Sequence, residues 1–236
     1  MQRTGIIISS RFGERFSSSN FTDFESKPIV RLCNSMKGRL RSGTKRVVEC
    51  SEEDDVKTED IYREDNHIYF HTEIDRSSIF KLNTLLRDTE EYCVITAFRM
   101  RIDPIPIYLH LYSSGGCIHS ALAAVDAIQS CRAPVFSIIE GATASAGTMI
   151  SMVCTKRFIR PNAYMLIHQL SGSSWGKMSE LTDEYQNLAD LMKRIRSMYL
   201  THTRLTSKRL DQLLNHDLWL DATKCMEYGL VDELYK

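Results

Sequence analysis

Val135-Phe136-Ser137-Ile138-Ile139-Glu140-Gly141-Ala142-Thr143-Ala144-Ser145-Ala146-Gly147 decides the fold. Its first five residues read as a buried strand, and Gly141 is expected to end that strand. The small residues from Ala142 to Gly147 are expected to open a helix. Ser145 then stands where a strand hands over to a helix start, and free backbone N–H groups there favour developing negative charge. Spacing alone favours a plainer reading, a small-residue helix packed tightly on a sheet.

The same alternation extends on both sides. Upstream, Ile68-Tyr69-Phe70-His71 reads as a strand and Ser78–Asp88 as a helix. Ile107 to Tyr112 reads as a strand that ends at Ser113-Ser114-Gly115-Gly116, followed by a helix carrying Ala121, Leu122, Val125 and Ile128. Downstream, Phe158-Ile159 and Tyr164 to Ile167 read as further strands. Strands alternating with helices predict layered α/β architecture with crossover connections. After the Gly/Ser-rich Ser171–Gly176 comes a long helix with an apolar stripe at Leu181, Tyr185, Leu188, Met192, Ile195 and Tyr199, read as core packing or a subunit contact. Thr206 or Ser207 can cap a short helix, Asp221 can cap the next, and Gly229 suits a left-handed helix end. Leu230-Val231 is expected to start a last strand.

Residues 1–66 have a different texture. Arg31 to Arg46 holds six basic residues and no acid, whereas Ser51 to Asp65 holds eight acids and two bases. Such blocks predict an extension, flexible or processed, before a domain at 67–236. Thirty basic residues balance thirty acidic ones, so net charge gives no reason to expect nucleic acid or an anionic membrane as partner. No apolar run is long enough to span a bilayer. Seven cysteines, an odd number without a CxxC pair, fit a reducing compartment, and the expected location is cytoplasmic.

Acyl transfer by a serine needs a base to take its proton, an acid to orient that base, and donors where the carbonyl oxygen becomes negative. Ser145 is the candidate nucleophile. His168 follows a strand, where sites on α/β sheets gather, but a lone histidine among apolar residues is more often structural than a base. Asp217 could be a cap or turn residue, and Gly115-Gly116 a simple tight turn.

Taken together and in order, these segments resemble one family, the caseinolytic protease proteolytic subunit (ClpP), over Ile68 to Leu234. The resemblance rests on Ser113-Ser114-Gly115-Gly116, on Gly141 to Gly147 around Ser145, on Ile167-His168-Gln169, and on Glu227-Tyr228-Gly229-Leu230-Val231-Asp232. It implies the ClpP/crotonase fold, repeated ββα units in stacked layers, with a long handle helix at about 177–203. It also implies an ATP-dependent serine endopeptidase with triad Ser145, His168 and Asp217, and an oxyanion hole from the amides of Gly116 and Ala146. Such subunits assemble with themselves into seven-membered rings, stacked in pairs as a tetradecamer around a chamber. A separate AAA+ unfoldase uses the ATP and feeds in unfolded protein, so the subunit itself is expected to need no metal or cofactor.

The sequence departs from the family at several points. Ser114 stands at the proline of the glycine turn and Ala146 at a methionine. Asn215-His216 replaces a stretch that in many relatives carries a ring-linking arginine. Cys93 to Pro106 is expected to be a lengthened loop. Two alternatives stay open: a non-catalytic ring subunit, and a crotonase-type acyl-CoA enzyme that shares the fold.

Overall fold

The computed structural model describes residues 60–236. An eight-stranded sheet runs in the order β1 (Ile61–Glu64), β2 (His67–Phe70), β3 (Ile107–Ser113), β4 (Val135–Ala144), β5 (Lys156–Ile159) and β8 (Glu233–Leu234). Strands β2 to β5 and β8 are parallel, and β1 pairs antiparallel with β2. The end of β4 turns away from β5 and pairs with β6 (Tyr164–Leu166), which pairs with β7 (Leu220–Asp221). Helices α1 (Arg76–Met100), α2 (Ile118–Ser130) and α3 (Ala146–Met152) make the successive crossovers. Parallel strands cannot be joined without such crossovers, and the helices bury one face of the sheet.

The core forms where strand and helix periodicities meet. Ile107, Leu109 and Leu111 alternate along β3, and Ile118, Ala121, Ala124, Val125 and Ile128 supply the buried face of α2. Two polar residues inside this core satisfy each other: Ser137 and Ser151 hydroxyls lie 2.8 Å apart. Helix α4 (Met178–His202) matches the expected handle. Only its last turns, through Ile195 and Tyr199, bury residues fully, and Tyr185 and Met178 near its start are exposed. Helix α5 (Ser207–Leu214) is capped by Thr206, whose hydroxyl accepts from Arg209 N–H, and α6 (Ala222–Glu227) by Asp221. No helix among the described residues is long and apolar enough to cross a membrane.

Four expectations need correction. Strand β1 lies inside the stretch assigned to an extension, so the sheet begins at Ile61 rather than after residue 66. The rest of that extension, with its basic block, lies outside the described residues. Helix α1 continues to Met100, so most of the expected loop from Cys93 is helical, and the connection to β3 is only 101–106. Its buried face over the added turns is Thr89, Cys93 and Ala97, small residues that a search for large apolar side chains passes over.

Gly141 does not end β4. It takes φ +54 within the strand, where the β3–β4 register shifts, so it is a bulge that bends β4 toward β6. Finally, Leu230 and Val231 are buried residues of a turn after Gly229 (φ +71), tied back by Leu230 N–H to the Cys225 carbonyl, and the last strand starts at Glu233.

Candidate active site

The bend at Gly141 sends β4 to the sheet edge where β6 also ends, and Ser145 sits at the turn into α3. Its backbone is strained, with φ +55 and ψ −124, a region that residues with a Cβ rarely occupy. Three hydrogen bonds hold it there. Ser145 N–H donates to the Leu166 carbonyl at 2.8 Å, and the Ser145 carbonyl accepts from Thr148 N–H at 3.0 Å and Thr148 Oγ1 at 2.7 Å. Thr148 Oγ1 also lies 2.6 Å from the Tyr199 hydroxyl of α4.

His168 follows β6, two residues beyond Leu166, and so shares this edge. Its Nε2 is 2.8 Å from Ser145 Oγ, and its Nδ1 is 3.3 Å from Asp217 Oδ1. A carboxylate only accepts, so Nδ1 carries the proton and Nε2 presents its lone pair to the serine hydroxyl. The loop is pinned by Gln169 N–H on the Leu214 carbonyl at the end of α5. The same helix end carries Asn215, His216 and Asp217. The imidazole is only 10% exposed but the Asp217 side chain is 77% exposed, so the carboxylate holds its partner from the solvent side.

The glycine turn after β3 completes the arrangement. A Cβ on Gly115 would lie 2.7 Å from Ser145 Cβ, and one on Gly116 2.2 Å from the Ile74 carbonyl oxygen. Ile74 N–H donates to Gly115 and its carbonyl accepts from Cys117, as in a parallel ladder. In such a ladder the N–H of the middle residue, Gly116, faces the opposite side, which here is the β4 side where Ser145 lies. Ala146 N–H belongs to the first turn of α3, whose donors have no intrahelical acceptor. Thus Ser145 and His168 share a hydrogen bond, Asp217 lies at ion-pair distance from the other ring nitrogen, and the Gly115-Gly116 turn and Ala146 flank the serine.

Sequence reading did not single out Thr148 or Tyr199 as parts of this site. Tyr199 belonged to an apolar stripe, and nothing in its spacing signals a hydroxyl directed at α3. Burial pushes the Tyr199 phenol up to about 12, partly opposed by its bond to Thr148, so it stays protonated. The five cysteines among the described residues are unpaired, and burial pushes the thiols of Cys154 and Cys225 up to about 12.

Known proteins match this chain over the same region. Among solved structures, a ClpP1 mutant from Listeria monocytogenes aligns with a TM-score of 0.62 at 22% identity, over 72% of this chain and 91% of that one. That likeness speaks for the fold. The family model described as Clp protease matches residues 70–236, which takes in the glycine turn, the strained serine, the histidine after β6 and the aspartate after α5. The chain belongs to the Clp protease family.

Proposed function

We propose that this chain is a serine endopeptidase in which Ser145 is the nucleophile, His168 the base and Asp217 the residue that orients it. The observation that carries the proposal is the 2.8 Å contact between His168 Nε2 and Ser145 Oγ, made at a strained turn. In the first step His168 takes the hydroxyl proton as Ser145 Oγ bonds to a peptide carbonyl carbon. Asp217 stabilises the imidazolium that results. The amides of Gly116 and Ala146 receive the oxyanion, and loss of one such donor typically costs about 3 kcal/mol of transition-state stabilisation. His168 then protonates the leaving amine, and a water deprotonated by His168 hydrolyses the acyl-enzyme.

The substrates we assign are unfolded chains and peptides, cut inside a chamber made by rings of this subunit and fed by a separate ATP-driven unfoldase. The uncovered first half of α4 and the segment before it support an assembly, because Met178 and Tyr185 in the helix and Trp175 ahead of it are large hydrophobic side chains left exposed. Cytoplasmic location is part of the same reading and rests on the unpaired cysteines.

The test is labelling of the full chain with a fluorophosphonate probe, together with hydrolysis of a short fluorogenic peptide. Ser145→Ala should lose both while keeping the assembly size of the parent. Peptide hydrolysis by that variant near the parent rate would overturn the assignment.

A further inference from the structure

A cleft of about 320 Å³ opens beside the glycine turn, outside the Ser145–His168–Asp217 series. It is lined by His71 and Glu73 after β2, Tyr112, Ser113 and Ser114 at the end of β3, and Trp219. Its position is fixed by chain connectivity. Ser113 and Ser114 lead directly into Gly115-Gly116, which packs on Ser145, and Trp219 follows Asp217 by two residues. A peptide seated with its carbonyl at Ser145 therefore runs beside this cleft.

The lining has a consistent chemistry. Tyr112 and Trp219 bring aromatic side chains to it. The Tyr112 ring lies on Gly141, where a Cβ would come within 3.1 Å of it, and His71 meets the ring edge-on at a centroid distance of 6.1 Å. That wall is held in place without a ligand. The Glu73 carboxylate sits at the exposed rim and makes no ion pair among the described residues; Ser114 Oγ approaches it at 3.5 Å, too long for a strong bond. Glu140 below is already engaged, by His110 at 3.0 Å and Arg160 at 3.2 Å. Two aromatic side chains with one carboxylate that makes no ion pair form the combination that attracts a cation, by ring quadrupole and by charge.

We propose that this cleft is a specificity subsite for a basic side chain, lysine or arginine, of the peptide substrate, with Glu73 as the charge-recognising residue and Trp219 and Tyr112 as its walls. The inference rests on the serine-endopeptidase reading above and adds a substrate class to it.

The test uses the full chain and fluorogenic peptides acetylated at the N-terminus, so that a preference cannot come from a free α-amino group. One position at a time is set to Arg, Lys, Gln or Glu. At one position near the scissile bond the parent should cleave the Arg and Lys peptides with kcat/KM about ten-fold above the Gln peptide, the scale of one cation–π contact plus one charge pair. Glu73→Gln should remove that ratio and leave the Gln peptide unchanged. Glu73→Lys should move the preference to the Glu peptide, and Trp219→Leu should lower the ratio about three-fold.

Fluorophosphonate labelling of each variant is measured in parallel. If the variants label and cleave as the parent does, and the Arg-to-Gln ratio is the same with and without Glu73, the subsite is overturned while the hydrolase reading stands. If the parent neither labels nor cleaves, the hydrolase reading falls and the subsite with it.

Discussion

The Tyr199 hydroxyl lies 2.6 Å from Thr148 Oγ1, which lies 2.7 Å from the carbonyl oxygen of Ser145. A carbonyl only accepts, so the single Thr148 proton goes to Ser145, and Tyr199 must donate to Thr148. A residue near the end of α4 thereby reaches the strained turn through one intermediate. The handle helix and the serine are coupled by two buried hydrogen bonds in series.

Tyr199→Phe keeps the ring in the core and removes only the donor. The buried Thr148 oxygen then lacks its partner, at a cost of about 1–2 kcal/mol. The variant should unfold at lower temperature and label with a fluorophosphonate several-fold more slowly, with KM for peptide little changed. A labelling rate equal to the parent's would show that the turn needs no support from α4.

Ser145 supplies a second expectation, because its φ of +55 is the kind of conformation that costs of order 1–3 kcal/mol with a Cβ present. Ser145→Ala keeps that cost and Ser145→Gly removes it, although glycine gives back about 0.5–1 kcal/mol in unfolded-state entropy. Both variants should be inactive, and the glycine variant should melt at the higher temperature. Thermal unfolding of the pair decides this, and equal midpoints would mean the turn is not strained.

Gly116 has no such latitude. A Cβ there meets the Ile74 carbonyl at 2.2 Å, a backbone atom fixed by its own bond from Cys117 N–H at 2.7 Å. Gly116→Ala should cost about 3 kcal/mol or more and displace the turn from Ser145. If the protein still folds, kcat should fall by about 10²–10³, as when an oxyanion donor is lost. Steady-state kinetics on the folded fraction would check it, and an unchanged kcat would remove Gly116 from the proposed site.

These cases also show what was legible in the sequence. Ser145, His168 and Gly116 stand in short segments whose order carried the resemblance, which in turn implied Asp217, and the structure brings Ser145 within hydrogen-bond distance of His168 and His168 within ion-pair distance of Asp217. The handle was legible because Leu181 to Tyr199 step at helical spacing. What was missed follows from weak local signals. The final turns of α1 bury Thr89, Cys93 and Ala97, which carry little hydrophobic contrast. Gly141 reads as a stop because a glycine that ends a strand and one that bends it look alike until the partner strand is known. Thr148 and Tyr199 meet across 51 positions of sequence, a separation that no periodicity encodes.

The outer face of the sheet supplies the last expectation, a pH dependence of stability. His110 is 3% exposed; its Nδ1 is 3.0 Å from Glu140 Oε1 and its Nε2 2.9 Å from His67 Nδ1. Burial holds its pKa below the ordinary histidine value, against the pull of Glu140 and with help from His67 and Arg160. Neutral His110 then donates from Nδ1 to the carboxylate and accepts from His67 at Nε2. Tyr69 from β2 and Tyr235 near the C-terminus pack on the same ring. Because the folded form holds the lower pKa, it binds fewer protons than the unfolded chain below about pH 6.5, and stability must fall as pH drops from there toward the folded pKa. Glu140 opposes no part of this window. Burial raises its pKa, but His110 and Arg160 overcome that and hold it below the carboxylate range, so its own contribution is lost only at more acid pH. Glutamine can make both of the bonds of His110 without titrating. In His110→Gln the fall in melting temperature between pH 7 and 5 should therefore be smaller than in the parent, while the fall below pH 4.5 persists. Parallel melting curves for the two proteins across pH 5–7 would show that His110 does not set the acid sensitivity of the sheet.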